Sequence, residues 1–409
     1  MADSSTNKHG MILSSGSANG AYEVGVMEAL FTGKSPSTGF RPLNPQVFSG
    51  SSIGAFNAAF LVSKLGKANC ADAVADLKRV WAEEIARNLS KGRSGPFKIR
   101  GNIFRLFDPH YIASNPVQPF VELAQDSAHL TLEGLKCMYT FALSDLSFAH
   151  RLWNLVDPSV FVSIDPFLDI INKTIQFESI LQATQALRII ATNWSTGHLQ
   201  TFSNSDFTSD FGCRIIQASS AMPGLFPKVR INDQTFVDAA VLGYATLAPV
   251  MEAGAFTLHL IYPDPELSHF SESMFQSSLD TLYRVFIAIW TNRIENDVDT
   301  AHKLNHLQNE LDRLLATGDL TEEKAQRLLE ATFPSNNAER LINLIPLDRK
   351  LAIHRYFSQY EHARGILNFN QQRIEDLTQM GFDETTHHDC KVNGCILPEG
   401  LEATFPEQK

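Results

Sequence analysis

Apolar and polar positions near the start of the chain predict two successive strand-turn-helix units. Short apolar runs at residues 11–14 and 46–49 have the length of buried strands, and small residues follow each run. Helices are expected after the two turns, from about residue 21 to 30 and from about 55 to 61. Strands and helices that alternate in this way favour a mostly parallel sheet covered by helices.

The middle of the chain continues this alternation, and the last third does not. Strands are predicted at residues 138–143 and 187–192, with a helical segment between them near residues 167–180. From about residue 271 onward the apolar spacing is helical alone, with leucines such as Leu304 and Leu311 on one face.

These patterns predict the fold class and the division of the chain. We expect a three-layer α/β/α core with a mostly parallel central sheet over residues 8–275, followed by a helical C-terminal portion over 276–381 packed on it. Residues 382–409 are polar and are expected to form a loosely ordered tail. An aromatic stretch broken by glycine and proline predicts an insertion at about residues 90–130.

Composition narrows the class of protein. The chain has 409 residues, of which 44% are hydrophobic, and a formal net charge of −11. That charge argues against a nucleic-acid partner, since such proteins normally carry a basic patch. The polar start, the lack of a long apolar run and the five sparse cysteines predict no Sec signal, no membrane anchor and no disulfide framework. A cytoplasmic location is expected, with peripheral membrane contact or export without a Sec signal left open.

The segment Gly50-Ser51-Ser52-Ile53-Gly54 has the G-x-S-x-G form that exposes a nucleophilic serine on a sharp strand-to-helix turn. Gly50 and Gly54 would let the strand and the helix approach each other closely. The predicted strand before the motif and the predicted helix after it supply the required context. On its own, the motif fits a tight structural turn as well as a nucleophile at Ser52.

A serine nucleophile also needs a base and hydrogen-bond donors for the oxyanion. The turn between the first strand and the first helix contains Gly16, Ser17 and Ala18, whose backbone N–H groups are candidates for an oxyanion hole. Asp238 ends a short apolar stretch and is followed by two alanines, so its carboxylate is the candidate base.

With these motifs in this order, the chain resembles the patatin-like phospholipases, which carry a glycine-rich oxyanion loop, G-x-S-x-G and an aspartate followed by small residues. Residues 191–197, 218–227 and 366–370 resemble bacterial members, so the resemblance covers roughly residues 10–380. It implies a dyad in which Ser52 is the nucleophile and Asp238 is the base, without an intervening histidine. The implied activity is a lipid acyl hydrolase of the phospholipase A or lysophospholipase type, with a lipid substrate and no metal or organic cofactor.

The chain departs from the family pattern in its oxyanion loop. Family members usually carry glycine at the positions of Ser15 and Ser17, a basic residue at Asn19, and glycine at the position of Ala239. A serine held at positive φ costs on the order of 1 kcal/mol, and a displaced oxyanion donor costs roughly 10²-fold in rate. The alternative is therefore a catalytically impaired lipid-binding or regulatory protein with the same fold.

A catalytic triad and a metal site are the two alternatives that the histidines and cysteines suggest. A serine-aspartate-histidine triad would draw on His259 or His269, but His259 lies in an apolar stretch that predicts a buried strand. For metal binding, His302 and His306 have helical spacing, while His387, His388, Cys390 and Cys395 fit no zinc pattern well. We predict no metal site from the sequence.

Apolar surfaces that could meet an acyl chain occur in two places. The aromatic insertion around Phe97 to Tyr111 is one, because a lipid substrate requires an apolar channel beside the serine. A helical face with Val285 and Ile289 is the other, although such a stripe more often packs in a core.

Overall fold

The structure is a computed structural model of the chain. It describes residues 8–88, 95–99, 162–242, 247–262, 278–332, 350–358 and 368–398, and a few residues between 121 and 132. The strand predicted at 138–143 and most of the insertion predicted at 90–130 lie outside the described residues.

Ten strands carry the labels used below. They are β1 (Lys8–Ser15), β2 (Val47–Ser52), β3 (Lys98–Ile99), β4 (Val162–Ser163), β5 (Ala186–Asn193), β6 (His198–Ser203), β7 (Val229–Ile231), β8 (Gln234–Asp238), β9 (Ala255–Ile261) and β10 (Ala352–Tyr356).

Ten helices carry labels as well. They are α1 (Gly20–Phe31), α2 (Ile53–Leu65), α3 (Cys70–Val80), α4 (Asp165–Thr174), α5 (Phe177–Leu181), α6 (Gly212–Ser219), α7 (Ala248–Glu252), α8 (Ser278–Thr317), α9 (Glu322–Thr332) and α10 (Gln371–Thr386).

The central sheet is mostly parallel, as the sequence predicts. Within the described residues it has eight strands in the order β10-β9-β1-β2-β5-β8-β7, with β6 paired to β5. The five strands from β10 to β5 pair in parallel, whereas β6, β7 and β8 pair antiparallel. The short strands β3 and β4 form a separate antiparallel pair.

Helices cover both faces of the sheet, which makes three layers. Alternate side chains of β1 enter different cores, because successive residues of a strand point to opposite faces. Met11 and Leu13 join the core beneath α1, α2 and α3, whereas Ile12 joins a second core with residues of α7 and α8. The strand is therefore apolar on both sides, as expected for a parallel strand buried between two helical layers.

Strands β2 and β8 approach each other end to end along one edge of β5. Strand β2 pairs with residues 186–189 of β5, β8 pairs with residues 191–193, and β6 occupies the other edge over residues 188–193. Because β2 runs parallel to β5 and β8 runs antiparallel to it, the last residues of the two strands approach each other near Ala191, which pairs with Asp238. Those last residues are Ser52 and Asp238.

The C-terminal portion differs from the prediction of helices alone. Strand β10 joins the edge of the main sheet, where it pairs in parallel with β9. The sequence of β10 does not alternate between apolar and polar residues, because all five of its residues are buried. Helix α10 continues to Thr386, past the expected boundary at residue 382, and residues up to 398 lie against β10 through a bridge between Ile353 and Ile396.

Helices α1 and α10 cross at unusually close range, and glycine makes that possible. A Cβ atom at Gly25 would lie 1.9 Å from the carbonyl oxygen of Thr378, and one at Gly381 would lie 2.2 Å from that of Tyr22. No side chain fits at either position without moving a backbone. The crossing also carries a hydrogen bond of 2.6 Å from the Tyr22 hydroxyl to Glu384.

We expect Gly381→Ala to lower the free energy of unfolding by about 1–3 kcal/mol, because the added methyl group must separate the two helices. Alanine normally stabilises a helix interior relative to glycine. A loss of stability in Gly381→Ala would therefore indicate the close contact with α1. Denaturant unfolding of the purified protein measures the effect.

The matched control is Gly66→Ala. Gly66 has φ of −68° and no atom within 4 Å of an added Cβ, so the substitution is expected to be neutral or stabilising by up to about 1 kcal/mol. Equal effects of the two substitutions would contradict the close crossing.

Candidate active site

Ser52 sits on a strained turn between β2 and α2. Its backbone has φ of 53° and ψ of −128°, a combination that non-glycine residues rarely adopt. A Cβ atom at Gly50 would lie 2.4 Å from the carbonyl oxygen of Gly54, and one at Gly54 would lie 2.3 Å from that of Leu13. The glycines of the motif thus allow the tight approach of strand and helix that holds Ser52 in this conformation.

The loop expected to bind an oxyanion lies next to this turn. In the register of the two strands, Ser15 is opposite Ser52, so the loop that begins at Gly16 leaves the sheet beside the candidate nucleophile. Ser17 has φ of 54°, whereas Ser15 is the last residue of β1 and is not at positive φ. Of the family's two missing loop glycines, only the one at Ser17 therefore falls at a positive φ.

Asp238 is completely buried at the end of β8. Its Oδ1 atom accepts a hydrogen bond of 2.9 Å from the backbone N–H of Ala240. Ala239 opens a short 3₁₀ turn and is not at positive φ, so alanine in place of the family's glycine leaves the carboxylate in position.

Burial raises the pKa of Asp238 to about 7. The hydrogen bond from the Ala240 N–H and the nearby Ser52 hydroxyl both favour the charged carboxylate, and so offset part of that rise. The Oδ2 atom is buried and, among the described residues, has no partner with full hydrogen-bond geometry. Ser52 is thus near enough to influence the carboxyl group without forming a complete hydrogen bond to it.

Ser219 supports the turn at Ser52; it lies in the stretch 218–227 that resembles bacterial members, but the sequence predicted no role for it. Its hydroxyl accepts a hydrogen bond of 3.1 Å from the backbone N–H of Ser52 and donates one of 2.6 Å to the carbonyl oxygen of Ile190. Ser219 thereby fixes the strained residue to β5, the strand that also pairs with Asp238.

A buried polar network supports the start of α1. The Asn57 side chain donates to the Gly20 carbonyl oxygen at 3.1 Å and to Glu23 at 2.7 Å, while the Trp81 indole donates to Asn57 at 2.9 Å. On the other side, the Arg373 guanidinium of α10 is 3.4 Å from the Asn19 amide oxygen. A positive charge therefore approaches the loop at the position where the family's basic residue is absent.

An apolar cavity opens at Ser52 and Ser17. The space between its walls is about 620 Å³, a volume that includes solvent at its opening. Its larger apolar side chains are those of Phe97, Phe167, Met222, Leu225, Phe226 and Phe369. Phe97 belongs to the predicted aromatic insertion, while Phe104, Phe107 and Tyr111 of that insertion lie outside the described residues.

His259 is engaged elsewhere. It is buried in β9, with one ring nitrogen 3.3 Å from His9 and the other 3.1 Å from the Tyr356 hydroxyl. Burial, and then the neighbouring histidines His354, His9 and His388, lower its pKa well below the ordinary value. Both ring nitrogens are directed at these partners, which leaves His259 without a role beside Ser52. His269 lies outside the described residues.

Comparison with known families identifies the fold and the class of protein. A family profile described as patatin-like phospholipase matches residues 11–250. The chain belongs to the patatin-like phospholipase family. Membership supports lipid acyl hydrolase activity in general, and the matched region contains the loop at Gly16, the turn at Ser52 and the carboxylate of Asp238.

Individual relatives are distant. No curated protein matches the chain. Among solved structures, VipD from Legionella pneumophila is similar at 14% identity and a TM-score of 0.37, with 93% of this chain and 66% of VipD covered. This chain thus spans slightly less than two thirds of the length of VipD.

The remaining predictions concern surfaces. In α8, Val285 and Ile289 are exposed, and so are His302 and His306. None of the helices described is both long enough and apolar enough to cross a bilayer.

The raised pKa of Asp238 predicts how stability depends on pH. Between about pH 4 and about pH 7 the folded state keeps a proton that the unfolded state has lost, so this group makes stability fall as the pH rises. Asparagine is neutral throughout. We expect Asp238→Asn to be more favourable for stability at about pH 8 than at about pH 5 by on the order of 2–3 kcal/mol.

Thermal or denaturant unfolding at the two pH values measures this difference, and using the difference cancels any pH-independent effect of the amide. Asp233→Asn is the control, since Asp233 is a fully exposed aspartate on the same hairpin. If Asp238→Asn shifts stability equally at both pH values, the carboxyl group is not buried as described.

Proposed function

We propose that this protein hydrolyses ester-linked acyl chains of phospholipids or lysophospholipids through Ser52 and Asp238. The observation that carries the proposal is the meeting of β2 and β8, which brings a strained serine that lines an apolar cavity close to a buried carboxyl group. Such a cavity suits an acyl chain, and the family's activity sets the class of substrate.

In the proposed reaction, the Ser52 hydroxyl attacks the carbonyl carbon of the acyl ester while Asp238 accepts its proton. The backbone N–H groups of Gly16, Ser17 and Ala18 hold the resulting oxyanion. The tetrahedral intermediate then collapses, the C–O bond to the alcohol breaks, and Asp238 returns the proton to the leaving alkoxide. A water molecule repeats the sequence on the acyl-enzyme, which releases the fatty acid and restores the serine.

The environment of Asp238 suits the role of base. A general base is most effective when its pKa lies near the working pH, and burial raises the pKa of Asp238 to about 7. The Oδ2 atom is the one with capacity to accept a proton, because Oδ1 is held by Ala240.

The decisive experiment compares two serines of the same cavity. We expect Ser52→Ala to abolish labelling by a fluorophosphonate probe and to reduce fatty-acid release by at least about 10³-fold, because it removes the nucleophile. Release is measured on phospholipid and lysophospholipid vesicles.

Ser220→Ala is the matched control. Ser220 lines the cavity beside Ser52, and its buried hydroxyl oxygen has no hydrogen-bond partner among the described residues. This variant should keep both labelling and hydrolysis. Retained labelling after Ser52→Ala, or equal loss in the two variants, would refute the proposed nucleophile.

A second candidate function follows from the backbone of Ser17. If the serine at φ of 54° displaces an oxyanion donor, the protein binds lipid in the same cavity without efficient turnover. We favour the enzyme, because Ser17 already adopts the conformation that glycine would supply.

On that basis we expect Ser17→Gly to change fatty-acid release by only a few-fold and to change the free energy of unfolding by no more than about 1 kcal/mol in the stabilising direction. Ser15→Gly is the control, since Ser15 ends β1 and glycine in a strand is destabilising by about 0.5–1 kcal/mol. A large gain of hydrolysis in Ser17→Gly over an inactive parent would favour the impaired lipid-binding protein instead.

A further inference from the structure

Four side chains with metal-binding atoms gather at the outer edge of the central sheet. His354 lies on β10, and His388, Cys390 and Cys395 follow the end of α10. One ligand atom from each lies within 4.8 Å of all the others. Both histidines are buried and both cysteines are partly exposed, so the cluster is enclosed on the protein side and accessible to an ion from outside.

Two of the ligand-to-ligand distances are close to those around a tetrahedral zinc ion. His388 Nε2 is 3.3 Å from Cys395 Sγ, and His354 Nδ1 is 3.6 Å from Cys390 Sγ. Zinc binds sulfur at about 2.3 Å and nitrogen at about 2.0 Å, which places nitrogen and sulfur ligands roughly 3.6 Å apart in a tetrahedron.

The ligand types narrow the choice of ion. Two cysteine sulfurs and two imidazole nitrogens in tetrahedral arrangement are typical of zinc. An iron–sulfur cluster would have to separate the cysteines from the histidines, and the short sulfur-to-nitrogen distances leave no room for it. Cys390 and Cys395 are both free thiols in the structure, so the pair is not a disulfide.

The backbone around the cluster is held in place before any ion binds. The Arg355 N–H donates to Cys395 Sγ at 3.3 Å, and the Cys395 N–H donates to the Cys390 carbonyl oxygen at 2.9 Å. Two backbone hydrogen bonds, of 2.7 and 2.9 Å, join Ile353 to Ile396. Ile353 precedes His354 in the chain, and Ile396 follows Cys395. These contacts restrict the cysteine loop relative to β10.

Aromatic contacts fix the two imidazole rings. The His388 ring packs on the Tyr356 ring at 4.7 Å, and the His354 ring stacks on the His259 ring at 5.0 Å. Ring orientation is what a metal site requires of its histidines, and outer contacts of this kind usually provide it.

We propose that His354, His388, Cys390 and Cys395 bind one Zn²⁺ ion that fastens the segment after α10 to the edge strand β10. Four protein ligands leave no position for a substrate or water, so the ion has a structural role. The sequence pattern did not predict it, because His354 reaches the other three ligands only through the fold.

The first test is the metal content of the full-length protein, expressed with added zinc and purified with a reductant and without chelators. We expect one zinc ion per chain by mass spectrometry of the metal. After removal of the metal, Co²⁺ should restore the visible absorption of a tetrahedral ion with thiolate ligands. Neither measurement depends on lipid hydrolysis.

Variants assign the ligands. His388→Gln and Cys395→Ser should each lose most of the bound zinc, whereas His387→Gln and Cys213→Ser should keep it. His387 is the exposed neighbour of His388, and Cys213 is a free cysteine on α6.

Three outcomes would overturn the proposal. They are a wild-type protein without zinc, undiminished zinc in the two ligand variants, and a Cys390–Cys395 disulfide that persists in protein purified with a reductant. Should a variant fail to fold, the wild-type metal content and the Co²⁺ spectrum still decide the question.

Discussion

The candidate site depends on two strands, β2 and β8, that share one edge of β5. Strand β2 pairs with the first half of that edge and β8 with the second half, in opposite directions, so neither can extend without meeting the other. Ser52 and Asp238 are the residues at which both strands must stop. The chain turns sharply at each of them, and Ser52 lines the apolar cavity.

The conformation of Ser52 and the burial of Asp238 each cost free energy. Ser52 has a backbone conformation that costs on the order of 1–3 kcal/mol, and Asp238 is a carboxyl group removed from water. Such costs persist only when the surroundings determine the conformation. Here the sheet is covered by a packed core on each face, and Ser219 ties the N–H of Ser52 to β5. The unusual backbone of Ser52 and the buried carboxyl group of Asp238 both fall at strand ends.

Local patterns in the sequence predicted the elements that such patterns encode. The first two strand-turn-helix units, the turn at Ser52 and the strand that ends at Asp238 all follow from apolar periodicity and glycine spacing. The meeting of β2 and β8 could not be predicted, because it depends on which edge of β5 each strand selects. Strand β10 was missed for a related reason: it is buried on both sides, so its period of two is hidden. No sequence motif indicated a role for Arg373.

Helix α10 connects two regions that the sequence treats as unrelated. Near its start, Phe369 lines the cavity and Arg373 approaches the loop at Asn19. Towards its end, Gly381 packs against α1 at a distance that permits no side chain, and the proposed zinc ligands follow. A rigid helix transmits displacement along its length. If the segment after α10 were released from β10, the helix would keep its crossing with α1 and the contacts near its start, but its C-terminal end would lose one attachment to the sheet. Through α10, the C-terminal region thus supports the walls of the candidate site and is not a loosely ordered tail over residues 382–398.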